Sequence, residues 1–468
     1  MSAIIIKKYD DIKLYNDETT TERIERLLKE NNVIYEISDK YIEPSYQTLL
    51  IPNNIVFNKN TLLKYLNKSV DLSKIHQEQK YRITDTNYDE YLAIITEDNK
   101  DIINKDLRIS DLTNQNIILT DDYYTELLNI LNKDEPVFIV SSKSMTKNII
   151  SKVSQITKKY IVFNNYNPNP TYEDITLGKE LFVESNANTI IAIGGGSSID
   201  VAKCIKAFTN INSEEDIVNK NYKYSDIKLI AIPTTSGTGS ESTEVAIMYY
   251  KGEKTSVDHP SGLPNYAILD NTLLITLPEY QKKSVMLDAL CQSIEAYWSK
   301  NRSTLSKRYS KKSIELIIKN YKEYLNNDLN ALKNIQIAAN LSGKAITLAK
   351  TTAPHTMCYR LTTKHNIAHG HAVALTLIHH WKLINERADD KTKDMLKELS
   401  NIIGFDNIEQ SIIYIENIIK EMNLPNPIIK EEDIKYLSDG VDLNRLYNHP
   451  IPLTYEDIYN IFSKLITK

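Results

Sequence analysis

The stretch Thr189–Ile205, TIIAIGGGSSIDVAKCI, decides how the rest of the chain is read. Ile190, Ile191, Ala192 and Ile193 form an apolar, largely β-branched run of the kind that makes a buried strand. Gly194-Gly195-Gly196 cuts the run. Ser197-Ser198 then has the chemistry to cap a helix carrying Val201, Ala202 and Ile205. Strand, glycine turn and helix start together aim free backbone N–H groups at a phosphate. The turn needs glycine because a Cβ would block close approach. An ordinary tight turn is the plainer alternative. The chain, however, has only 12 glycines in 468 residues and none before Gly178, so three in a row favour a phosphate cradle.

Upstream of this stretch, apolar runs and helical spacing alternate. Ile117–Leu119, Val137–Val140 and Tyr160–Phe163 read as strands. Asp122–Leu131, Met145–Thr157 and Thr171–Ser185 read as helices. Lys228–Pro233 adds a strand downstream. This alternation predicts an α/β fold, a doubly wound, Rossmann-like parallel sheet over residues 115–275. From about residue 275 the strands stop. Ser284–Ser299, Ser306–Asn326 and Asp328–Lys350 carry helical spacing, so residues 276–468 read as a helical unit packed on the sheet. A ligand would lie between the two, outside the carboxyl ends of the strands.

Residues 1–114 differ in character. AIIIKKY, IKLYN and VIYEI read as strands, and LLI/IVF around Pro52 as a hairpin. Thr19–Asn32 and Tyr88–Ile95 read as helices, the first with Thr19 and Glu22 at capping-box spacing. The segment holds no glycine and no cofactor fingerprint. It is read as a small α+β module for stability, oligomer contact or recognition. The whole chain is 41% hydrophobic and 25% charged, as in ordinary soluble globular proteins. A net charge of −5 gives no case for nucleic acid or an anionic membrane. Three cysteines without a CxxC pair, no signal segment and no long apolar run lead to an expectation of a cytoplasmic protein.

Three further features fall in order for one site. Thr234–Ser242, TTSGTGSES, is a glycine-hydroxyl loop whose Thr234, Thr235, Thr238 and Ser240 offer donors to a ribose or phosphate, with Lys254 just beyond. In MLDALCQSIEAYWS, Asp288 and Gln292 share a helical face. A lone carboxylate there is more often a satisfied core group than a ligand. Five of the nine histidines lie between His355 and His379. Among them His355, His369 and His371 bracket a short loop, and a carboxylate with imidazoles suits a divalent first-row metal, iron or zinc.

Together, GGGSSID, TTSGTGSE, the DAL…EAYWS helix and the pair His355…His369-Gly370 resemble the iron-containing (group III) alcohol dehydrogenases, over roughly residues 115–468. The resemblance implies an NAD(P)-dependent, metal-dependent oxidoreductase. By position it assigns Gly194, Gly195, Gly196, Ser197 and Asp200 to the pyrophosphate. Thr234, Thr235, Ser236, Thr238 and Lys254 go to the nicotinamide side, and Asp288, His355 and His369 to the metal. Gln292 stands where the family has a second histidine ligand, so it becomes a weak ligand or a substrate contact. Tyr359 replaces a further family histidine and, with His371, is a candidate proton carrier. Ser142 followed by Lys143 replaces an aspartate that rejects a 2′-phosphate, so NADP is admitted beside NAD. A homo-oligomer, dimer or larger, and a complex with pathway enzymes are also expected.

Within the family, Gln292, Lys344–His355 and the AHGHAVAL run look most like the phosphonoacetaldehyde reductase branch, which itself resembles peptide-pathway dehydrogenases of the daptide type. Three functions follow. The favoured one oxidises a C-terminal threonine of a ribosomal precursor peptide, with residues 1–114 as a winged-helix-like recognition module. The second acts on a phosphonate or other small aldehyde or alcohol. The third is a catalytically weak scaffold for a partner enzyme.

Overall fold

A computed structural model describes residues 115–467 except Asn212, and before these residues 2–6, 19–30, 34–38, 48–52, 55–57, 92–94 and Leu112. In the first part, β1 (Ser2–Ile6) lies between β2 (Ile34–Ser38) and β3 (Thr48–Pro52), all parallel. Helix Thr20–Glu30 carries the expected capping box. The Thr19 N–H donates to Glu22 Oε2 at 2.7 Å, and the Glu22 N–H donates to Thr19 Oγ1 at 3.2 Å.

Two expectations fail in this part. β3 and β4 (Ile55–Phe57) do not form a hairpin, because β3 pairs with β1. β4 pairs antiparallel with β5 (Leu92–Ile94), inside the stretch expected to be helical. The register, with Ile55 opposite Ile94, shows the reason: an apolar run as short as LAI takes the conformation of the strand beside it. The parallel β2-β1-β3 order also departs from a winged helix, whose small sheet is antiparallel. The expected strand IKLYN lies outside the described residues.

The second part is a six-stranded parallel sheet. β6 (Asn116–Thr120), β7 (Val137–Ser141), β8 (Tyr160–Phe163), β9 (Thr189–Gly194), β10 (Lys228–Pro233) and β13 (Tyr266–Asp270) stand in the order β6-β13-β10-β9-β7-β8. Their side chains alternate between two buried faces. Phe138, Val140, Ile190 and Ala192 meet helices Tyr172–Glu184 and Gly196–Phe208. Ile139, Ile191, Ile193 and Ile230 meet helices Tyr123–Ile130 and Thr146–Ile156. Covering on both faces explains strands that are apolar throughout rather than alternating. After β7 the chain moves outward to β8, and after β9 it moves the other way to β10. The strand order therefore reverses between β7 and β9, where such sheets bind ligands. β13 was not anticipated, nor was the hairpin of β11 (Val245–Tyr250) and β12 (Glu253–Asp258). Its turn residues Lys251 and Gly252 both have positive φ, 50° and 81°, as a tight hairpin turn requires.

Beyond the sheet the described chain is helical, as expected, around helix Glu279–Trp298, which is buried on nearly every side from Met286 onward. Trp298 meets Trp381 edge to face at 5.6 Å. None of the described helices is long and apolar enough to cross a membrane.

Near this pair lie two histidines at zero exposure, His380 and His449, with ring centroids 5.2 Å apart. Both nitrogens of His449 and Nδ1 of His380 lack a hydrogen-bond partner. Burial first, then Lys300, pushes His449 down to about 3. Burial, then the neighbouring His449 and His379, pushes His380 well below its usual value. Both stay neutral when folded and gain a proton near 6.5 when unfolded. Their contribution is therefore complete above pH 6.5 and shrinks as pH falls below it, by at most about 1.4 kcal/mol per pH unit per histidine. Urea midpoints should drop between pH 7.5 and pH 5. The drop should be smaller in a His449→Phe variant, and an equal drop in both proteins would remove His449 as a cause.

Candidate active site

At the reversal between β7 and β9, the glycines do three different jobs. Gly194 has φ +152°, and a Cβ on it would lie 2.1 Å from Ser198 Oγ and 3.2 Å from the Cβ of Ser142. A Cβ on Gly196 would lie 2.9 Å from the side chain of Thr238, and one on Gly195 would touch Thr235 at 3.4 Å. The glycine turn and the loop Thr234–Ser242 thus lie side by side, with Ser142 at their edge. No side chain caps helix Gly196–Phe208; the Ser198 and Ile199 N–H groups donate to the Gly195 carbonyl, and the positive end of the helix dipole lies at the glycine turn. The expected serine caps are otherwise engaged. Ser197 Oγ donates to the Pro168 carbonyl, and Ser198 Oγ accepts from the Tyr166 hydroxyl at 2.7 Å.

Asp200 faces away from the crevice. One of its oxygens accepts from Ser240 Oγ, and the other from the Ile247 N–H at 3.1 Å. Lys203, at 1% exposure, donates to the carbonyls of Ser240, Thr243 and Val245 and to both hydroxyls there. Burial lowers this lysine to about 8 against the pull of Asp200. The pair staples the loop to the helix beneath it. This corrects the expectation that Asp200 meets the pyrophosphate: a carboxylate would repel that anion, and both its oxygens are committed elsewhere.

The second half of the site comes from three helices. Asp288 lies on Glu279–Trp298, His355 on the first turn of Ala353–His365, and His369 at the start of His369–Arg387. Their approach depends on Gly370, where a Cβ would lie 2.0 Å from the Ser284 carbonyl oxygen and 2.7 Å from Asp288 Cβ. His355 Nε2 is 3.3 Å and His369 Nε2 3.8 Å from Asp288 Oδ1. All three donor atoms lie within 4.8 Å of one another. Donors about 2.1 Å from a single ion stand about 3.0–3.4 Å apart; the Asp288–His355 pair already has that spacing, and His369 would move in by a few tenths of an ångström or more to join a first-row metal. Asp288 Oδ1 and His355 Nε2 are buried without a hydrogen-bond partner, as ligand atoms awaiting a cation would be. Burial alone would raise the Asp288 carboxyl, but His369, His355 and Lys254 outweigh it and hold it below the usual carboxylate range.

The other expected residues divide. Lys254 Nζ stands 3.7 Å from the centre of the Tyr359 ring, and its charge is felt by Asp288, His369 and Cys358. Lys254 and Tyr359 therefore belong to the cleft. Gln292 uses its amide at the interface: Oε1 accepts from Ser342 Oγ at 2.9 Å, and Nε2 donates to the Thr238 carbonyl at 3.4 Å. His371 is buried on another side of its helix. Its Nδ1 lies 3.2 Å from the Tyr280 hydroxyl, and its N–H donates to Ser284 Oγ. Ser236 Oγ pairs with Tyr324 at 2.7 Å in the interior.

Two residues beside the cluster escaped the sequence reading. Glu295 meets Nδ1 of His355, and Cys358 Sγ lies 3.3 Å from Nδ1 of His369. A signal existed for the first: Glu295 follows Asp288 by seven residues, two helical turns, and so shares its face.

A dinucleotide-type crevice in a parallel sheet, closed by helices that gather a carboxylate and two imidazoles, defines a nucleotide- and metal-binding oxidoreductase. Residues 114–271 match the family model described as iron-containing alcohol dehydrogenase, and residues 283–466 match the Fe-containing alcohol dehydrogenase family, C-terminal. The chain belongs to the iron-containing alcohol dehydrogenase family. It is 30% identical over 294 residues to the 4-hydroxybutyrate dehydrogenase of Clostridium kluyveri, which covers 59% of this chain and 78% of that one. It is 27% identical to long-chain-alcohol dehydrogenase 1 of Geobacillus thermodenitrificans, covering 64% and 80%. Its fold is shared with the crystal structure of a sulfoacetaldehyde reductase from Bifidobacterium kashiwanohense in complex with NAD+, at TM-score 0.69 and 24% identity, over 75% of this chain and 96% of that one.

Because Gly370 sets the helix approach, Gly370→Ala should destabilise the protein by about 1–3 kcal/mol in urea titrations. It should also weaken Zn2+ binding, since Asp288 and His369 are forced apart. Unchanged binding would show that the cluster tolerates a wider separation.

Proposed function

We propose that the chain interconverts an alcohol and an aldehyde or ketone that carries an acidic group close to the reacting carbon. The observation that carries this reading is Lys254. It is a cation held over the Tyr359 ring and electrostatically coupled to Asp288 and His369, so an anionic substituent would be drawn to the side of the cleft where the metal donors lie. Support comes from the character of two similar proteins, named for 4-hydroxybutyrate and for sulfoacetaldehyde.

Asp288, His355 and His369 would hold the metal, iron or zinc, which when bound supplies Lewis acidity toward the substrate oxygen. NAD(P)+ held beside it would supply the acceptor for the hydride lost from the carbinol carbon, the hydroxyl proton being released at the same time. The Gly194–Gly196 turn and the helix terminus receive the pyrophosphate, with Ser142, Thr235 and Thr238 around it. Lys254 and Tyr359 would orient the substrate's acid group, and the Tyr359 hydroxyl would carry the proton. Gln292 keeps Thr238 against the helical unit, so its part is to position the cofactor loop.

A second reading rests on a separate observation. Residues 1–113 lie outside both family matches, yet contain a parallel sheet and a capped helix. A substrate as large as a peptide ending in threonine would use such a module, and its C-terminal carboxylate would be attracted to Lys254 equally.

Following NAD(P)H absorbance with the metal-loaded full chain tests both. Short aldehydes bearing carboxylate, sulfonate or phosphonate should be reduced with KM at least tenfold below that of an uncharged aldehyde of equal length. Lys254→Met should remove that preference. Turnover confined to a peptide with C-terminal threonine would select the second reading, and no turnover of either class would sink both. For the cofactor, Ser142→Asp should raise KM for NADP+ at least tenfold and leave that for NAD+ within threefold. Equal changes would take Ser142 away from the 2′-phosphate.

A further inference from the structure

We propose that Glu295 and Cys358 grade the two histidines of the Asp288/His355/His369 cluster, making His355 the anchored ligand and His369 the exchangeable one. The proposal rests on reading that cluster as a metal centre. It concerns the neighbours of the ligands rather than the ligands.

Glu295 is at zero exposure. One carboxylate oxygen accepts from Nδ1 of His355. The other accepts from the Thr352 N–H at 2.7 Å and the Thr352 hydroxyl at 2.9 Å. That hydroxyl in turn accepts from the indole N–H of Trp298 at 2.9 Å. This buried carboxylate is held by three donors from packed positions, so it has no freedom to swing away. A carboxylate can only accept. Nδ1 of His355 must therefore carry a proton, so Nε2, beside Asp288, is the nitrogen left to meet a metal. A charged acceptor also makes the imidazole more basic and a stronger ligand.

His369 has a weaker partner. The Cys358 thiol donates to the His355 carbonyl at 3.0 Å, so toward Nδ1 of His369, 3.3 Å away, the sulfur acts as an acceptor. Sulfur is a poor and neutral acceptor. Exposure follows the same order: the His369 side chain is 38% exposed and that of His355 only 7%. One imidazole is locked by a charged network in the interior. The other, more exposed, sits beside a thiol.

Glu295→Gln tests this without changing size. Whichever way the amide turns, it presents N–H donors either to Thr352, a donor itself, or to Nδ1 of His355, which then shifts its proton to Nε2. The metal-free full-length protein is titrated with Zn2+ against a chromophoric chelator, and thermal melting of the metal-free form reports folding. Glu295→Gln should bind Zn2+ about 10–100-fold more weakly at an unchanged melting temperature. Cys358→Ala should bind about threefold more weakly or less. The visible spectrum of the Co2+-loaded protein should shift in the first variant and stay near that of the wild type in the second. Should Glu295→Gln fail to melt cooperatively, Glu295→Asp, which keeps the charge but withdraws it from His355, is read by the same threshold. Affinity within twofold of wild type, or an equal loss in Cys358→Ala, overturns the grading. A wild-type chain that binds no Zn2+ would instead refute the metal centre on which it rests.

Discussion

The constraint on which the structure depends is a contact between two glycines. Gly239, in the loop after β10, and Gly343, on helix Leu329–Ala349, meet backbone to backbone. A Cβ on Gly239 would lie 2.6 Å from the Cα of Gly343, and one on Gly343 would lie 2.4 Å from the Gly239 carbonyl. Gly237 similarly rides on the backbone of Val285. The loop that borders the cofactor crevice is therefore pressed onto Leu329–Ala349 and onto Glu279–Trp298, the helix that carries Asp288. Ser242, Gln292 and Asn340 reinforce the seam with hydrogen bonds at 2.7–3.4 Å. Hydride transfer needs donor and acceptor carbons held at contact distance, and backbones that meet directly at glycine are how two layers can provide that.

Buried charge follows the same plan. Asp200 and Lys203 lie under the loop, each surrounded by hydrogen-bonding partners, and Glu295 lies behind His355 in a cage of donors. Stranded charges in these places would cost several kcal/mol each. With their partners they define a single arrangement of loop and ligand. Among the unpartnered buried atoms of the described residues are Asp288 Oδ1 and His355 Nε2 at the cluster, and nitrogens of His380 and His449 in the helical interior. The first two look onto a common point that a cation would fill. The second two make the helical unit sensitive to acid.

Much of this could be read along the chain. The strand boundaries Tyr160–Phe163 and Lys228–Pro233 follow from runs bounded by polar and proline residues, and helix Tyr172–Glu184 from its Thr171 cap. Other features could not be read. LAI at residues 92–94 became a strand because β4 was there to pair with it. β13 was overlooked because YAILD is short and its neighbours in the sheet lie far away in sequence. Asp200 was misassigned because its place in the GGGSSID motif does not show which way a carboxylate on the first turn of the helix points.

By itself, the sequence determined the parallel α/β sheet, the helical unit after it and the residue types gathered for nucleotide and metal. These depend on periodicity, glycine spacing and the donor chemistry of individual side chains, all of which are local. Only the tertiary structure decided what each group faces. It turned Asp200 to the loop and Gln292 to the interface, set Lys254 over Tyr359, and put a carboxylate behind one histidine and a thiol behind the other. Each of those outcomes depends on contacts between segments far apart in the chain, where the close approach of backbones at glycine, and not residue order, sets the distance.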